Sequence, residues 1–314
     1  MLRLVFRRIV GLLATLGVAS TLVFTAMEVL PSDPAALMLG TEARPDTLKA
    51  LRHEMGLDQP VMLRYVGWAF GLVQGDFGIS HTYHVPVLSL IAERLPVSLP
   101  LAVCSLWLAV IIGIPAGVLA AARHGKASDH GVRFLAQLAL ALPNFWLAML
   151  LVFMFAITWH WLPAGGFPGW RSGFGAVRSL ILPAIALALP QAAILARVMR
   201  SALLETMDDS FITAARARGL SGSDVLIRHA VPNALIPVLS IMGLQFSFLL
   251  AGTIIIENVF YLPGLGRLIF QSVTQRDLPV VTGATMLLIT SVIAVSFLVD
   301  LAALMLDPRL RRRA

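Results

Sequence analysis

Residues 208–237 read DDSFITAARARGLSGSDVLIRHAVPNALIP, a polar, arginine-bearing stretch with about twenty apolar residues on either side. The flanks decide the fold. Hydrophobic residues make up 58% of the 314 and charged residues only 13%, too little polar surface to keep a water-soluble domain dispersed. Six stretches match the roughly 20 apolar residues that cross about 30 Å of hydrocarbon: Ile9 to Leu30, Val97 to Ala122, Phe134 to Leu162, Ser179 to Ala196, Leu235 to Ile256 and Pro279 to Val299. The chain is therefore expected to be an all-α polytopic membrane protein with six transmembrane helices. Glu28 is the one charged residue inside these spans.

A cleaved signal peptide would also open on a basic segment such as MLRLVFRR. Here, however, the apolar run spans 22 residues and meets PSDPAA with no small-x-small site before it, so it is read as an uncleaved first span. With the N-terminus in the cytoplasm, segments 1–8, 123–133, 197–234 and 300–314 lie inside and hold 3, 3, 5 and 4 of the 24 Lys and Arg. The positive-inside rule then puts both termini and the opening stretch in the cytoplasm.

The first outer connection, Pro31 to Leu95, is too long for a plain loop. RPDTLKALRHEMGLD predicts a helix with Pro45 in its first turn, Leu48, Leu51 and Met55 on one face and Gly56 as its stop. PVMLRYVGWAFGLV predicts a second, amphipathic helix carrying Tyr65 and Trp68, which QGDFGIS breaks. Two readings of this segment stand: a cap packed on the helices, or a piece dipping into a translocation mouth. Pro100, Pro115, Pro143, Pro183, Pro190 and Pro237 sit inside the spans and are expected to kink them. Trp159, Trp161 and Trp170 belong at the outer end of the third span. Cys104, the only cysteine, lies in an apolar span and excludes disulfide frameworks.

Within the polar stretch, Asp208, Asp209 and Ser210 are N-cap residues, FITAARAR is a helix former and Gly219 is a natural stop. Ser221 and Asp224 have capping-box spacing and predict a second short helix ending before Pro232. Phe211, Ala214, Ala215 and Arg218 recur at i, i+3, i+4 and i+7, giving one face with an apolar knob, a flat platform and a cation. A solvated loop gains nothing from such a face, so a docked partner or the chain's own bundle is expected to cover it.

TAARARG, followed after nine residues by HAVP, resembles the EAA signature, E-A-A-x3-G-x9-I-x-L-P, of binding-protein-dependent ABC importer permeases. It is closest to the dipeptide, oligopeptide and nickel branch, whose version reads approximately T-A-R-A-K-G-L with H-x-L-R-N-A-x-x-P downstream. Thr213 replaces the signature Glu and His229 the Ile, both usual in that branch. PSDPA, GLDQPV, GDFGIS, IPAGVLAA, LPNFW, IIIENVFYLPGLGRL, RDLPVV and LDPRLRRR extend the match along the chain. The resemblance implies a type I ABC importer transmembrane domain, with residues 1–94 a first helix plus a structured periplasmic segment, 95–306 a five-helix core, and 307–314 a basic cytoplasmic tail.

It further implies coupling helices at about 208–232, carried by Phe211, Thr213, Ala214, Ala215, Arg218, Gly219, His229 and Pro232, against two cytoplasmic ABC ATPase subunits. The other implied partners are a second homologous permease, an extracytoplasmic substrate-binding protein and the lipid bilayer of a bacterial inner membrane, with no nucleic acid. The implied cargo is peptide, or alternatively nickel or a metal chelate. ATP and magnesium would be bound by the ATPase partners: G-x4-G-K-[ST] is absent here, RHGKAS lacking both the earlier glycine and the hydroxyl. No catalytic, cofactor or metal site is expected in this chain.

His81 and His84 are three apart but lack a third ligand, and His53 and His160 do not complete a set. Ser98, Ser105 and Ser201 stand beside no base. Glu257 and Asn258, directly after the fifth span, are candidates for the pathway or its outer gate, because a membrane carboxylate is costly to leave unpaired. Asp300 is expected to pair with a cytoplasmic Arg. The rival class is an ion-gradient-driven transporter, which would place acid or histidine relays mid-membrane; spans two to five hold no charged residue.

Overall fold

The computed structural model describes residues 2–29, 34–39, 44–54 and 56–306. Along the chain run α1 (Leu2–Val29), α2 (Pro34–Leu39), α3 (Pro45–Glu54), α4 (Val61–Gln74), α5 (Val87–Ala122), α6 (Ala127–Ala141), α7 (Asn144–Leu151), α8 (Phe174–Met207), α9 (Ser210–Ala217), α10 (Gly222–Asp224), α11 (Val231–Val259), α12 (Leu265–Gln275) and α13 (Leu278–Leu306). A π-helical turn, Val152–Thr158, extends α7, and another, Val225–Ala230, joins α10 to α11. Among the described residues the β structure is one isolated bridge, Ile79 to Pro86. The basic tail 307–314, Met55, Asp33, Glu42 and the side chain of Asp300 lie outside the described set.

Five of the expected spans are single helices: α1, α5, α8, α10–α11 and α13. The third, Phe134 to Leu162, is instead a broken span in which α6 and the α7 segment are bent by 104°. Leu142 has φ −87 and ψ 129, the extended conformation that the ring of a following proline imposes, and Pro143 then opens α7 as its N-cap. Pro100, Pro115, Pro183, Pro190 and Pro237 interrupt nothing: α5, α8 and α11 run through them.

The chain divides into two compact units. In the larger, which holds residues 97–267, α8 is the central helix, and most of its apolar length is buried. It packs on α6, α7 and α11, and α5 approaches it through missing side chains. A Cβ added at Gly113 would stand 2.6 Å from the Ala192 carbonyl oxygen, and one at Gly117 would stand 2.5 Å from that of Ala196. Small residues four apart on both helices let the backbones touch, as lipid-embedded helices require when no hydrophobic drive separates lipid from protein contacts.

The smaller unit, residues 2–96 and 268–293, holds α1 and α4 together. Arg64 reaches Glu28 with Nη1 to Oε1 at 3.1 Å and Nη2 to Oε2 at 2.6 Å, pairing the one charge placed inside the first span. Tyr65 shares hydrogen bonds with Ser20 at 2.9 Å and Thr21 at 3.1 Å. In the same unit the hairpin after α4 is pinned to Asp277. The Ser80 hydroxyl donates at 2.5 Å, the Thr82 N–H at 3.1 Å and the His81 N–H at 3.2 Å. Burial works to raise the Asp277 pKa, but these donors outweigh it and hold the carboxyl below its ordinary value.

Two outcomes are expected. Gly113→Ala lowers detergent-solubilised thermal stability by roughly 1–3 kcal/mol through overpacking, while Gly131→Ala, where a Cβ meets nothing within 4 Å, does not lower it; scanning fluorimetry reads both. Because the folded Asp277 pKa is depressed, its contribution is complete above the unfolded value of about 4 and is lost as pH falls through the folded value. Asp277→Asn should flatten that acid limb in a pH series of melting temperatures.

Candidate functional site

The polar stretch begins where α8 ends at Met207. Asp209 takes the extended N-cap backbone of α9, although its side chain makes no cap hydrogen bond. After Ala217 the chain leaves the helix, and Gly219 adopts φ +82, a left-handed conformation that glycine takes without steric cost. Ser221 caps α10, accepting from the Asp224 N–H at 3.2 Å.

The expected second short helix is corrected. α10 continues through the π turn into α11, so Pro232 stands in the first turn of a long helix rather than after a short one. A proline ring clashes with the carbonyl four residues back in a regular α-helix; the wider i→i+5 turn just before Pro232 relieves that constraint.

The expected four-residue face is also corrected. Ile212 and Ala215 are the buried residues of α9, and they belong to one core cluster with Met199 and Leu203 of α8 and Val225 and Ala230 of the π turn. Phe211, Thr213, Ala214, Arg218 and Gly219 are exposed, as is Pro232, while His229 is half-buried. At about 100° per residue, Ala215 lies about 40° from Phe211 and about 60° from Ile212, so it sits at the edge between two faces. It turns inward, leaving Phe211, Ala214 and Arg218 outward.

Two residues that sequence reasoning missed hold the approach to this stretch. Arg200 of α8 donates to the buried Asp129 of α6 from Nε at 2.6 Å and Nη2 at 2.8 Å. The Gly125 N–H adds a bond at 3.0 Å to the same carboxylate, and His124 Nδ1 lies 3.3 Å from it. The partners are 71 positions apart, and no local pattern joins them.

Glu257 lies at the far end of α11, fully buried. It accepts from the Ser98 hydroxyl at 2.5 Å and from the Arg267 N–H at 3.1 Å, and the same hydroxyl accepts the Leu265 N–H at 2.7 Å. The carboxylate therefore caps the N-terminus of α12, where free amides and the helix dipole favour an anion. Gly264 makes room, since a Cβ there would stand 2.3 Å from the carboxylate. Asn258 beside it is half-buried. The site residues thus fall into two groups at opposite ends of α11: an outward patch on α9 at its start and a buried carboxylate at its end.

The chain is similar to known transport permeases. A "Putative peptide transport system permease protein" of Brucella abortus (strain 2308) is 42% identical over 312 residues, covering 99% of each chain. The glutathione transport system permease protein GsiC of Escherichia coli (strain K12) is 37% identical over 311 residues, with the same coverage. Among solved structures, an inward-facing form of the MetNI methionine ABC transporter matches with a TM-score of 0.58 at 20% identity, over 69% of this chain and 96% of the other. An amino acid ABC transporter matches with a TM-score of 0.53 at 18% identity, over 68% and 93%; these two likenesses concern the fold. The model of the binding-protein-dependent transport system membrane component N-terminal region matches residues 1–102, and that of the inner membrane component matches residues 113–312. The chain belongs to the binding-protein-dependent transport system inner membrane component family and is a multi-pass membrane permease subunit of a transport system.

Proposed function

We propose that this permease forms half of the translocation pathway of an ATP-binding-cassette importer for peptides, in the inner membrane of a bacterium, with a second homologous permease as the other half. Peptide cargo is supported by the names of its relatives, one given for peptide and one for glutathione transport. An extracytoplasmic binding protein delivers the cargo, and two cytoplasmic ATPase subunits hydrolyse ATP.

The observation that carries the reading is the two-sidedness of α9. One face is locked into the chain's own core through Ile212 and Ala215, while the other holds Phe211, Ala214 and Arg218 outward. That outward patch is the ATPase dock, with Thr213, Gly219, His229 and Pro232 flanking it. Phe211, 37% exposed, supplies remaining apolar area worth roughly 1 kcal/mol when covered, Ala214 lets the partner's backbone approach, and Arg218 supplies a cation at the rim. Glu257 and Asn258 belong to the outer gate, where the carboxylate fixes the start of α12.

Ala214→Asp is expected to leave insertion intact and to cut ATPase-subunit co-purification by about two decades of affinity, because a charge must be desolvated on docking. Arg216→Ala is the control. Ala215→Asp, by contrast, should lower the stability of the isolated chain. Co-purification equal to the parent for Ala214→Asp contradicts the assignment. Reporter fusions at Gly222 and Arg52 should report inside and outside respectively, as the positive-inside tally requires. Uptake of labelled dipeptides, longer peptides, glutathione and chelated nickel by the reconstituted system identifies the cargo, with accumulation of peptides expected and nickel alone contradicting it.

A further inference from the structure

Two cavities of the larger unit meet between α6 and α8. One, of about 640 Å³, is lined by His130, Arg133 and Gln137 of α6 and by Arg197, Arg200 and Ser201 of α8. These residues recur at helical spacing, so each helix turns a polar stripe into the space. No carboxylate lines it. Asp129 is buried and committed to Arg200, whereas Arg133 and Arg197 are exposed and have no ion pair among the described residues.

The second cavity, of about 360 Å³, shares Val132, Ala136 and Ala196 with the first, and its walls are glycine, alanine, valine, leucine and isoleucine only. Arg133 immediately precedes the apolar run that starts at Phe134, and Arg197 immediately follows the one that ends at Ala196. Both cations therefore mark the same boundary, where hydrocarbon gives way to headgroups. From Arg197 to Leu189, which lines the apolar cavity, is eight residues of helix, or roughly 12 Å, a span that suits the upper part of an acyl chain.

We propose that this composite cavity binds one anionic phospholipid, its phosphate between Arg133 and Arg197 and an acyl chain in the apolar groove. Guanidinium groups match phosphate oxygens in geometry as well as charge, and basic pockets between membrane helices on the cytoplasmic side suit such headgroups. A free phosphate would use the first cavity and leave the second without an occupant; a phospholipid fills both. The occupant bridges α6 and α8 beside the Asp129–Arg200 pair, just before the polar stretch. The site stands apart from the outward patch of α9.

Native mass spectrometry of the full chain in detergent tests this, with phosphatidylglycerol, phosphatidylcholine and inorganic phosphate as probes. Phosphatidylglycerol should be retained at least tenfold more tightly than phosphatidylcholine. The Arg133→Gln, Arg197→Gln double variant should lose at least tenfold in phosphatidylglycerol affinity, and the Arg133→Lys, Arg197→Lys double variant, which keeps the charge but not the fork, should recover only part of it. Ala139→Phe, which fills the groove, should weaken phosphatidylglycerol with the arginines intact. The lipid-free melting temperature of each variant separates loss of binding from loss of fold. Equal retention of the two lipids, phosphatidylglycerol binding unchanged in the double Gln variant, or inorganic phosphate competing at the lipid's own concentration would each overturn the proposal. So would a crosslinker at residue 133 that captures a second protein subunit from the assembled transporter.

Discussion

Burial of Ile212 and Ala215 against Met199, Leu203, Val225 and Ala230 is the contact on which the arrangement of the polar stretch depends. Without it, residues 208–232 would be a hydrated connection between two membrane helices, with no reason to present any one surface. With it, α9 has an inside and an outside. Covering an isoleucine side chain is worth roughly 1.5–3 kcal/mol, enough to favour one orientation of a two-turn helix strongly. Phe211, Ala214 and Arg218 are then held outward by the same geometry that hides Ile212.

The core that receives Ile212 is itself organised by α8. Its neighbour α5 comes close because Gly113 and Gly117 remove the atoms that would collide with the Ala192 and Ala196 carbonyls. On α6, the bidentate Asp129–Arg200 pair ties the helix start to α8; a buried pair of this kind is costly to break because either partner left alone is an uncompensated charge. From the polar stretch, α10, the π turn and α11 run without a break to Glu257. α11 has 29 residues and spans roughly 43 Å, so a single helix links the polar stretch to the carboxylate that caps α12.

Much of this was legible in the sequence, and the exceptions have physical causes. Apolar runs of membrane length have few alternative structures, because every backbone group in lipid needs an internal partner, and the spans followed from that. The break at Pro143 did not stand out because five other prolines carry the same local signal, yet α5, α8 and α11 continue through them. Whether a proline breaks a helix is decided by what surrounds the freed carbonyl. Ala215 was grouped with Phe211, Ala214 and Arg218 because periodicity fixes which residues share a face but not which side the core lies on; the larger Ile212, one position from Phe211, was the available clue. Pro232 read as a stop because the π turn before it leaves no sequence mark. Asp129 with Arg200, and Glu257 with Ser98, are joined across 71 and 159 positions, distances over which a single sequence carries no pairing information.

The most direct measurement of the central claim is site-specific photocrosslinking in the assembled transporter, with p-benzoylphenylalanine placed in turn at residues 212 and 214. The account predicts an adduct to an ATPase subunit from residue 214, and from residue 212 only adducts within the chain, to the α8 or π-turn segments that cover it. An ATPase adduct from residue 212 with none from residue 214 would contradict it, since the face assigned to the core would then be the one that docks.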